Sequence, residues 1–139
     1  MIVIDLPGLP RGKGRPRLST RNGHAHVHTD PQTASYEGAL RLAAAVAMVG
    51  LEPLQGPLSM SVVATFPVPA SWSKKKQAAA LSGSVWPTGR PDVDNLAKAA
   101  ADSLNTIVYR DDAQIISASI LKQYGRLTGL RIVVDRVAV

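Results

Sequence analysis

The chain has 139 residues, a formal net charge of +6 and no cysteine. Its length fits one compact domain covering residues 1–139, because single domains commonly contain about 100–150 residues. The lack of cysteine excludes disulfides and thiolate zinc sites, which leaves carboxylates and histidines as metal ligands. No apolar run reaches the roughly 18 residues that a membrane span needs, so we expect a soluble, cytoplasmic protein without a membrane partner.

Positive charge is concentrated in two segments without acids, residues 11–28 and 53–91. Half of the ten acidic residues then fall within residues 92–112. A basic protein with one concentrated acidic segment is typical of proteins that hold phosphates with cations and cut them at a metal. The alternative is a basic domain whose charges only solvate its surface.

The first predicted elements are a strand and a hairpin. Met1–Leu6 is apolar except for Asp5 and is followed by Pro7-Gly8, which predicts a buried or edge strand. Asn22-Gly23 is a strong signal for a type I′ turn, so residues 15–29 are predicted to form a β-hairpin. With a two-residue loop, Arg21 pairs with His24 and Arg17 with His28.

The hairpin then places a row of arginines opposite His24, His26 and His28. Three interpretations stay open: a ribbon that lies on phosphates, a ribbon that is only solvated, and a histidine metal site, which the arginines disfavour by repelling a cation.

The middle of the chain predicts a helix, a strand and a long connection. Thr29-Asp30-Pro31 predicts a helix start, and apolar residues recur at helical spacing up to Gly50. Alternation from Leu58 to Phe66 predicts a strand with one buried face. In the connection over residues 70–91, Ser73 is expected to cap a short helix that ends at Leu81, and Trp86 is either a core anchor or a side chain that stacks on bases.

The last elements are a second helix and two strands. Asp94 is predicted to open the helix, whose apolar period continues to Ile107, and residues 114–124 and 130–137 are predicted strands. The element order predicts a mixed α/β domain of the α+β type, with a small, mostly antiparallel sheet and two main helices.

The chemistry-bearing segment begins at Asp92 and Asp94. An extended backbone after Pro91 would direct both carboxylates to one side, and Lys98 follows Asp94 by one helical turn. Spacing alone does not tell whether Asp111 and Asp112 meet them. Such acids suit Mg²⁺, or Mn²⁺ as the alternative, which prefer oxygen ligands.

Each of these residues also has a purely structural interpretation. Asp94 alone is an ordinary helix N-cap, and Lys98 is an ordinary partner of Asp94 or Asp102. Asp111-Asp112 is an ordinary turn. Their concentration in one stretch of a basic chain favours the metal site.

Three segments resemble the RusA family of Holliday junction resolvases, which occurs in bacteria, phages and prophages. They are Lys13-Gly14-Arg15-Pro16-Arg17, the motif Pro91-Asp92-Val93-Asp94-Asn95-Leu96 with Lys98-Ala99-Ala100, and Asp111-Asp112-Ala113-Gln114. In order and spacing they cover nearly the whole chain. The central motif with its downstream acids is far more specific than a lone Asp-x-Asp.

The resemblance implies a homodimer that cuts branched DNA, the four-way junction, by paired symmetric nicks with a divalent metal. It implies that Asp92, Asp94 and Asp112 are the essential acids and Lys98 the catalytic lysine, with Asp111 as a further metal ligand of lower rank. The basic residues predicted to contact DNA are Lys13, Arg15, Arg17, Arg21, Lys74, Lys75, Lys76 and Arg90. Two other functions remain as alternatives: a non-catalytic module that binds branched DNA, and a nuclease that trims flaps or forks.

Overall fold

The computed structural model describes residues 1–13, 17–21, 23–28 and 31–138, without the side chains of residues 17–21 and 24–28. Its elements are β1 (Ile2–Pro7), β2 (Arg17–Arg21), β3 (His24–His28), α1 (Pro31–Ala47), β4 (Leu58–Phe66), α2 (Lys74–Leu81), α3 (Val93–Ser103), β5 (Ile115–Tyr124) and β6 (Gly129–Arg136). A short 3-10 turn, Asp112–Gln114, precedes β5. The types and order of these elements agree with the sequence prediction.

Four strands form the main sheet in the order β1-β6-β4-β5. Strand β6 is antiparallel to both β1 and β4, whereas β4 and β5 run parallel. The parallel pair is possible because α2, α3 and their connections carry the chain back between β4 and β5. The predicted mixed, mostly antiparallel sheet is therefore confirmed, with β1 at one edge.

One face of this sheet carries the core. Along β4, buried and half-buried residues alternate strictly from Leu58 to Phe66, which is the period expected of a strand with one covered face. Helices α1 and α3 contribute Leu40, Ala44, Leu96 and Ala100 to the same cluster. The core is mainly aliphatic, as expected for a chain with only 4% aromatic residues, and α3 packs on it.

Strands β2 and β3 form a separate two-stranded sheet. Its register pairs Arg17 with His28, Ser19 with His26 and Arg21 with His24. This confirms the hairpin and the register that Asn22-Gly23 predicts. The roles proposed for the histidine row concern side chains that lie outside the described residues.

Helices α1 and α2 start where the sequence predicts. The two cap candidates before Pro31 lie outside the described residues, but Ser73 caps α2 by accepting a hydrogen bond from the Lys76 amide at 3.2 Å. Helix α1 ends at Ala47, three residues before the predicted Gly50, whose φ of 76° is a left-handed conformation suited to glycine.

Helix α3 differs from its prediction at both ends. Asp92, and not Asp94, is the N-cap, because the Asp92 carbonyl accepts the first helical hydrogen bond from Leu96 at 3.0 Å. The helix ends at Ser103 and does not continue to Ile107, since Thr106 has a φ of 70° that turns the chain. Asp92 and Asp94 therefore do not share a strand face as predicted, because Asp94 lies in the first helical turn.

In the part of the chain that the structure describes, no helix is both long and apolar enough to cross a bilayer.

Candidate active site around helix α3

The start of α3 presents two exposed carboxylates. Asp92 has an extended backbone, with φ −73° and ψ 156°, and its side chain makes no capping hydrogen bond. Asp94 follows in the first turn, where a negative charge is favourable beside the positive end of the helix dipole. Both carboxylates are thus open to a ligand from solvent.

An N-terminal segment packs directly on this first turn. A Cβ on Gly12 would lie 2.8 Å from the Asn95 Cβ and 3.0 Å from the Pro91 Cβ. The amide of Lys13 donates to the Asn95 carbonyl at 3.0 Å. Only glycine fits so close to the helix, which explains why a residue without a side chain precedes Lys13.

Two lysines share one carboxylate further along α3. Lys98 Nζ lies 3.5 Å from Asp102 Oδ2, so Asp102, and not Asp94, is its partner among the two that the sequence left open. Lys13 Nζ lies 3.6 Å from the same oxygen and 2.6 Å from Glu37 Oε1 on α1. The hydrogen bond to Glu37 is the main reason that the pKa of Lys13 is raised, with the charges of Glu37 and Asp102 adding to it against the effect of burial.

The Lys98 side chain is 62% exposed, whereas that of Lys13 is 25% exposed. Lys98 can therefore reach a bound phosphate, while Lys13 is held between α1 and α3.

The other end of α3 holds Asp112. The Asp112 amide donates to Asn105 Oδ1 at 2.8 Å, and Asn105 Nδ2 donates to Asp112 Oδ2 at 3.4 Å. Partial burial raises the pKa of Asp112, and hydrogen bonding with the carboxyl groups of Asp111 and Asp102 raises it further, while the Asn105 amide opposes the shift. Three carboxyl groups thus crowd together beside the end of α3.

Asp111 and Gln114 form a capping box. Asp111 Oδ1 accepts from the Ala113 amide at 2.9 Å, and Gln114 Oε1 accepts from the Asp111 amide at 3.2 Å. Gln114 Nε2 also donates to the carbonyls of Leu54 and Gly56, both at 3.1 Å. Asp111 therefore has a structural role that fixes the turn carrying Asp112.

Two further side chains fasten the end of α3 to the core. Tyr109 is fully buried and its hydroxyl donates to the Ala101 carbonyl at 2.6 Å. Burial raises the pKa of Tyr109, and the charges of Asp112, Asp102 and Asp111 add to the shift. Arg41 of α1 donates from Nη1 to the carbonyls of Ser103 and Asn105, both at 3.2 Å, and so caps the negative end of the helix.

Two properties decide whether these residues can hold a divalent metal: the type of their donor atoms and the positions of those atoms. Carboxylate oxygens are the donors that Mg²⁺ and Mn²⁺ prefer. Across the described ranges, however, no group of three or more His, Asp or Glu side chains lies in positions to hold one ion. Asp94 and Asp102 are eight residues apart, which corresponds to about 12 Å along a helix axis. The predicted ligands Asp92, Asp94, Asp111 and Asp112 therefore suit the metal chemically, and their joint coordination of it stays a prediction.

The predicted DNA-binding lysines of α2 differ in their surroundings. Lys74 and Lys75 are exposed at the start of the helix. Lys76 Nζ lies 3.9 Å above the centre of the Trp72 ring, a cation–π contact that holds its ammonium at the protein surface. Trp72 in turn meets the Tyr124 ring edge-on at 5.4 Å.

Arg90 is exposed just before the Asp92 segment, and Lys122 fixes the adjoining loop by donating to the Gly89 carbonyl at 2.6 Å. Arg15 and the side chains of Arg17 and Arg21 lie outside the described residues. Their contacts with DNA, like those of Lys74–Lys76 and Arg90, stay predictions.

Trp86 is 50% exposed and does not belong to the buried core. Its interpretation as a core anchor is therefore wrong, and stacking on bases stays a prediction.

Sequence reasoning missed several residues that support the site. Asn105, Glu37 and Arg41 act over separations that no local pattern reveals. Asp111-x-x-Gln114, by contrast, has a spacing typical of a capping box, which could have identified the turn.

A family model and a bacterial protein are similar to this chain. The family model described as endodeoxyribonuclease RusA matches residues 7–135. The uncharacterized protein YqaN of Bacillus subtilis (strain 168) is 36% identical over 144 residues, covering 99% of this chain and 97% of that protein. This chain therefore belongs to the RusA family of endodeoxyribonucleases, which act on branched DNA junctions.

Proposed function

We propose that the protein resolves Holliday junctions by paired, symmetric nicks during DNA recombination and repair. We further propose that residues 1–139 form one catalytic domain that works as a homodimer and hydrolyses phosphodiesters with a divalent metal. The observation that carries this proposal is the family match over residues 7–135, since it includes every acid and the lysine predicted for catalysis.

Asp92, Asp94 and Asp112 are the proposed metal ligands, with Asp111 beside them. Bound Mg²⁺, or Mn²⁺ as the alternative, would neutralise these carboxylates, polarise the scissile phosphate and lower the pKa of an attacking water. Three features of the described residues support this assignment: Asp92 and Asp94 offer exposed carboxylates at the start of α3, Asp92 makes no capping hydrogen bond, and Asp112 lies near the carboxyl groups of Asp102 and Asp111.

Lys98 is the proposed cationic partner of the phosphate. Its ammonium is exposed and lies one turn from Asp94 and one turn from Asp102. Asp102 keeps Lys98 on the acidic side of α3, where a positive charge can stabilise negative charge that develops at phosphorus.

Binding of DNA is assigned to the basic segments on either side of the site. Lys74, Lys75 and Arg90 are exposed in the long connection before α3, and Arg15, Arg17 and Arg21 add positive charge in the N-terminal part of the sequence. Contacts between these cations and phosphates would make binding strongly dependent on salt. Trp86, half exposed in the same connection, is available to stack on an unpaired base.

The experiment is a cleavage assay with an immobile four-way junction and a linear duplex of the same sequence, each with Mg²⁺, Mn²⁺ or EDTA. The wild type should nick the junction symmetrically and only with metal. Asp92→Asn should lose about 10³-fold or more in cleavage rate, since one charged ligand is removed, while junction binding persists. Asp135→Asn, which removes an exposed acid of β6, is the control with the same change of charge and should cleave as the wild type does.

The alternative functions correspond to other outcomes of this assay. Binding without cleavage under every metal condition would contradict the proposal and leave a non-catalytic DNA-binding module. Faster cutting of flaps or forks than of four-way junctions would assign the protein to the trimming nucleases.

A further inference from the structure

Lys13 was predicted from its charge to contact DNA, but the structure gives it different neighbours. Its ammonium lies 2.6 Å from Glu37 Oε1 and 3.6 Å from Asp102 Oδ2. Three quarters of the side chain is covered. An ammonium with two carboxylate partners has little to gain from a third anion, so a phosphate contact is not the best use of this lysine.

The backbone around Lys13 is tied to the same helix. The Lys13 amide donates to the Asn95 carbonyl at 3.0 Å, in the first turn of α3. Gly12 approaches Asn95 and Pro91 so closely that a Cβ there would lie 2.8 Å from the Asn95 Cβ. Backbone and side chain of Lys13 thus contact α3 at two levels, the first turn and Asp102, which lies two turns further along.

The two ion pairs of Asp102 connect Lys13 to the proposed catalytic lysine. Lys13 Nζ and Lys98 Nζ lie 3.6 Å and 3.5 Å from the same oxygen, Asp102 Oδ2. Asp102 also lies close enough to Asp112 for its carboxyl group to raise the pKa of Asp112. A change at Lys13 would therefore alter both the position of Asp102 and the charge that Lys98 and Asp112 experience.

We propose that Lys13 is a positioning residue, which joins α1 to α3 through Glu37 and Asp102 and thereby fixes the arrangement of Lys98 and the acids. This inference rests on the proposed function, because it assigns Lys13 to the cleavage step and not to DNA binding. Lys13 acts only through other side chains and touches neither DNA nor a reacting atom.

The kinetic test separates cleavage from binding. Lys13→Gln should lower the single-turnover rate at saturating protein by roughly ten- to a hundredfold, the range found when a group that orients ligands is removed. Its Kd for the four-way junction in EDTA, and the dependence of that Kd on salt, should match those of Arg131→Gln. This control removes the same charge from an exposed ion pair with Asp5 on the sheet. Lys13→Arg should recover most of the rate.

Glu37→Gln provides the decisive second variant. Because it removes an acid, it should tighten or leave unchanged any binding to phosphates, yet positioning predicts that it lowers the single-turnover rate as Lys13→Gln does. If Lys13 contacted DNA, the results would be the reverse. Lys13→Gln would then weaken junction binding and reduce the dependence of log Kd on log salt by about one, without changing the single-turnover rate at saturating protein. Glu37→Gln would leave the single-turnover rate unchanged.

Amide hydrogen exchange tests the inference without activity. Lys13→Gln should speed exchange of the Leu96 amide, which donates to the Asp92 carbonyl at 3.0 Å, whereas Arg131→Gln should not. Unchanged exchange together with an unchanged rate would overturn the inference. If the wild type cut no junction, the proposed function would fail, and hydrogen exchange would still decide whether Lys13 holds α3.

Discussion

The two ends of α3 hold their acids in different ways. At the first end, Asp92 makes no capping hydrogen bond and Asp94 is exposed. At the other end, Asn105 holds both the backbone and the side chain of Asp112, and a capping box fixes Asp111. One end is thus open and the other is organised before any ligand arrives.

This difference separates structural from functional roles. An acid with no bond to its own protein contributes little to folding, so we expect substitution at the first end to change activity more than stability. An acid held among other carboxyl groups costs stability, because like charges repel. Each end can therefore be tested by asking whether substitution changes activity, stability or both.

The largest loss of cleavage activity is expected from substitutions at the open end. Asp94→Asn should lower the metal-dependent cleavage rate by about 10²–10³-fold, since it removes one charge from the proposed ligand set. Stability should fall by less than about 1 kcal/mol, the usual contribution of an acid near a helix N-terminus. Cleavage rates and thermal melting of the same preparation measure the two effects.

Asp135→Asn is again the control for the lost charge. A large fall in melting temperature with Asp94→Asn would contradict the comparison, because it would show that the open end has a structural role. An unchanged cleavage rate would remove Asp94 from the proposed ligands.

A smaller loss of activity, now with a loss of stability, is expected at the organised end. Asn105→Ala removes the bonds to the Asp112 amide and carboxylate. Cleavage should fall roughly ten- to a hundredfold, as for residues that orient ligands. Unfolding by urea should show a loss of roughly 1–2 kcal/mol, since the Asp112 amide loses its partner.

Gln77→Ala is the matched control for this loss. Its amide donates to the carbonyls of Trp72 and Ala70 at the start of α2, away from the acids. A similar loss of stability without a change in the single-turnover rate is expected. If both variants lowered the rate equally, the effect of Asn105 would reflect general destabilisation only.

The contrast between the two ends also shows what sequence can and cannot predict. The strand Leu58–Phe66 and the Asn22-Gly23 hairpin were predictable, because alternation and turn chemistry are local signals. The start of α3 was misplaced because Asp92 and Asp94 are equally good caps by residue type, and only the Leu96 hydrogen bond distinguishes them.

Local sequence signals of this kind do not predict the contacts at the organised end. The contact of Arg41 with the Ser103 carbonyl spans 62 residues, and that of Lys13 with Asp102 joins the first and third quarters of the chain. Such pairs depend on how α1 and α3 pack together on the sheet. Composition could place a lysine near an acidic segment, but it could not tell a phosphate contact from an ion pair.

The smallest expected effect is a change in the stability of Asp112→Asn, measured in protein freed of metal by EDTA. The pKa of Asp112 is raised in the folded state, so over a window above the ordinary carboxyl range the folded protein binds more protons than the unfolded chain. Stability then decreases as pH rises through that window. The variant lacks this penalty, so its melting temperature relative to wild type should rise as the pH is raised above the ordinary carboxyl range.

The sign of this pH dependence shows which neighbours of Asp112 dominate its pKa. A constant offset between variant and wild type would mean that the Asn105 amide cancels the effects of burial and of the neighbouring acids on the pKa of Asp112. A difference that shrinks as pH rises would mean that Asn105 outweighs the neighbouring acids, since a lowered pKa makes the ionised group stabilising. With the expected sign, the same substitution should lower the metal-dependent cleavage rate while stabilising the metal-free fold, because neighbouring carboxylates repel one another in the absence of a cation.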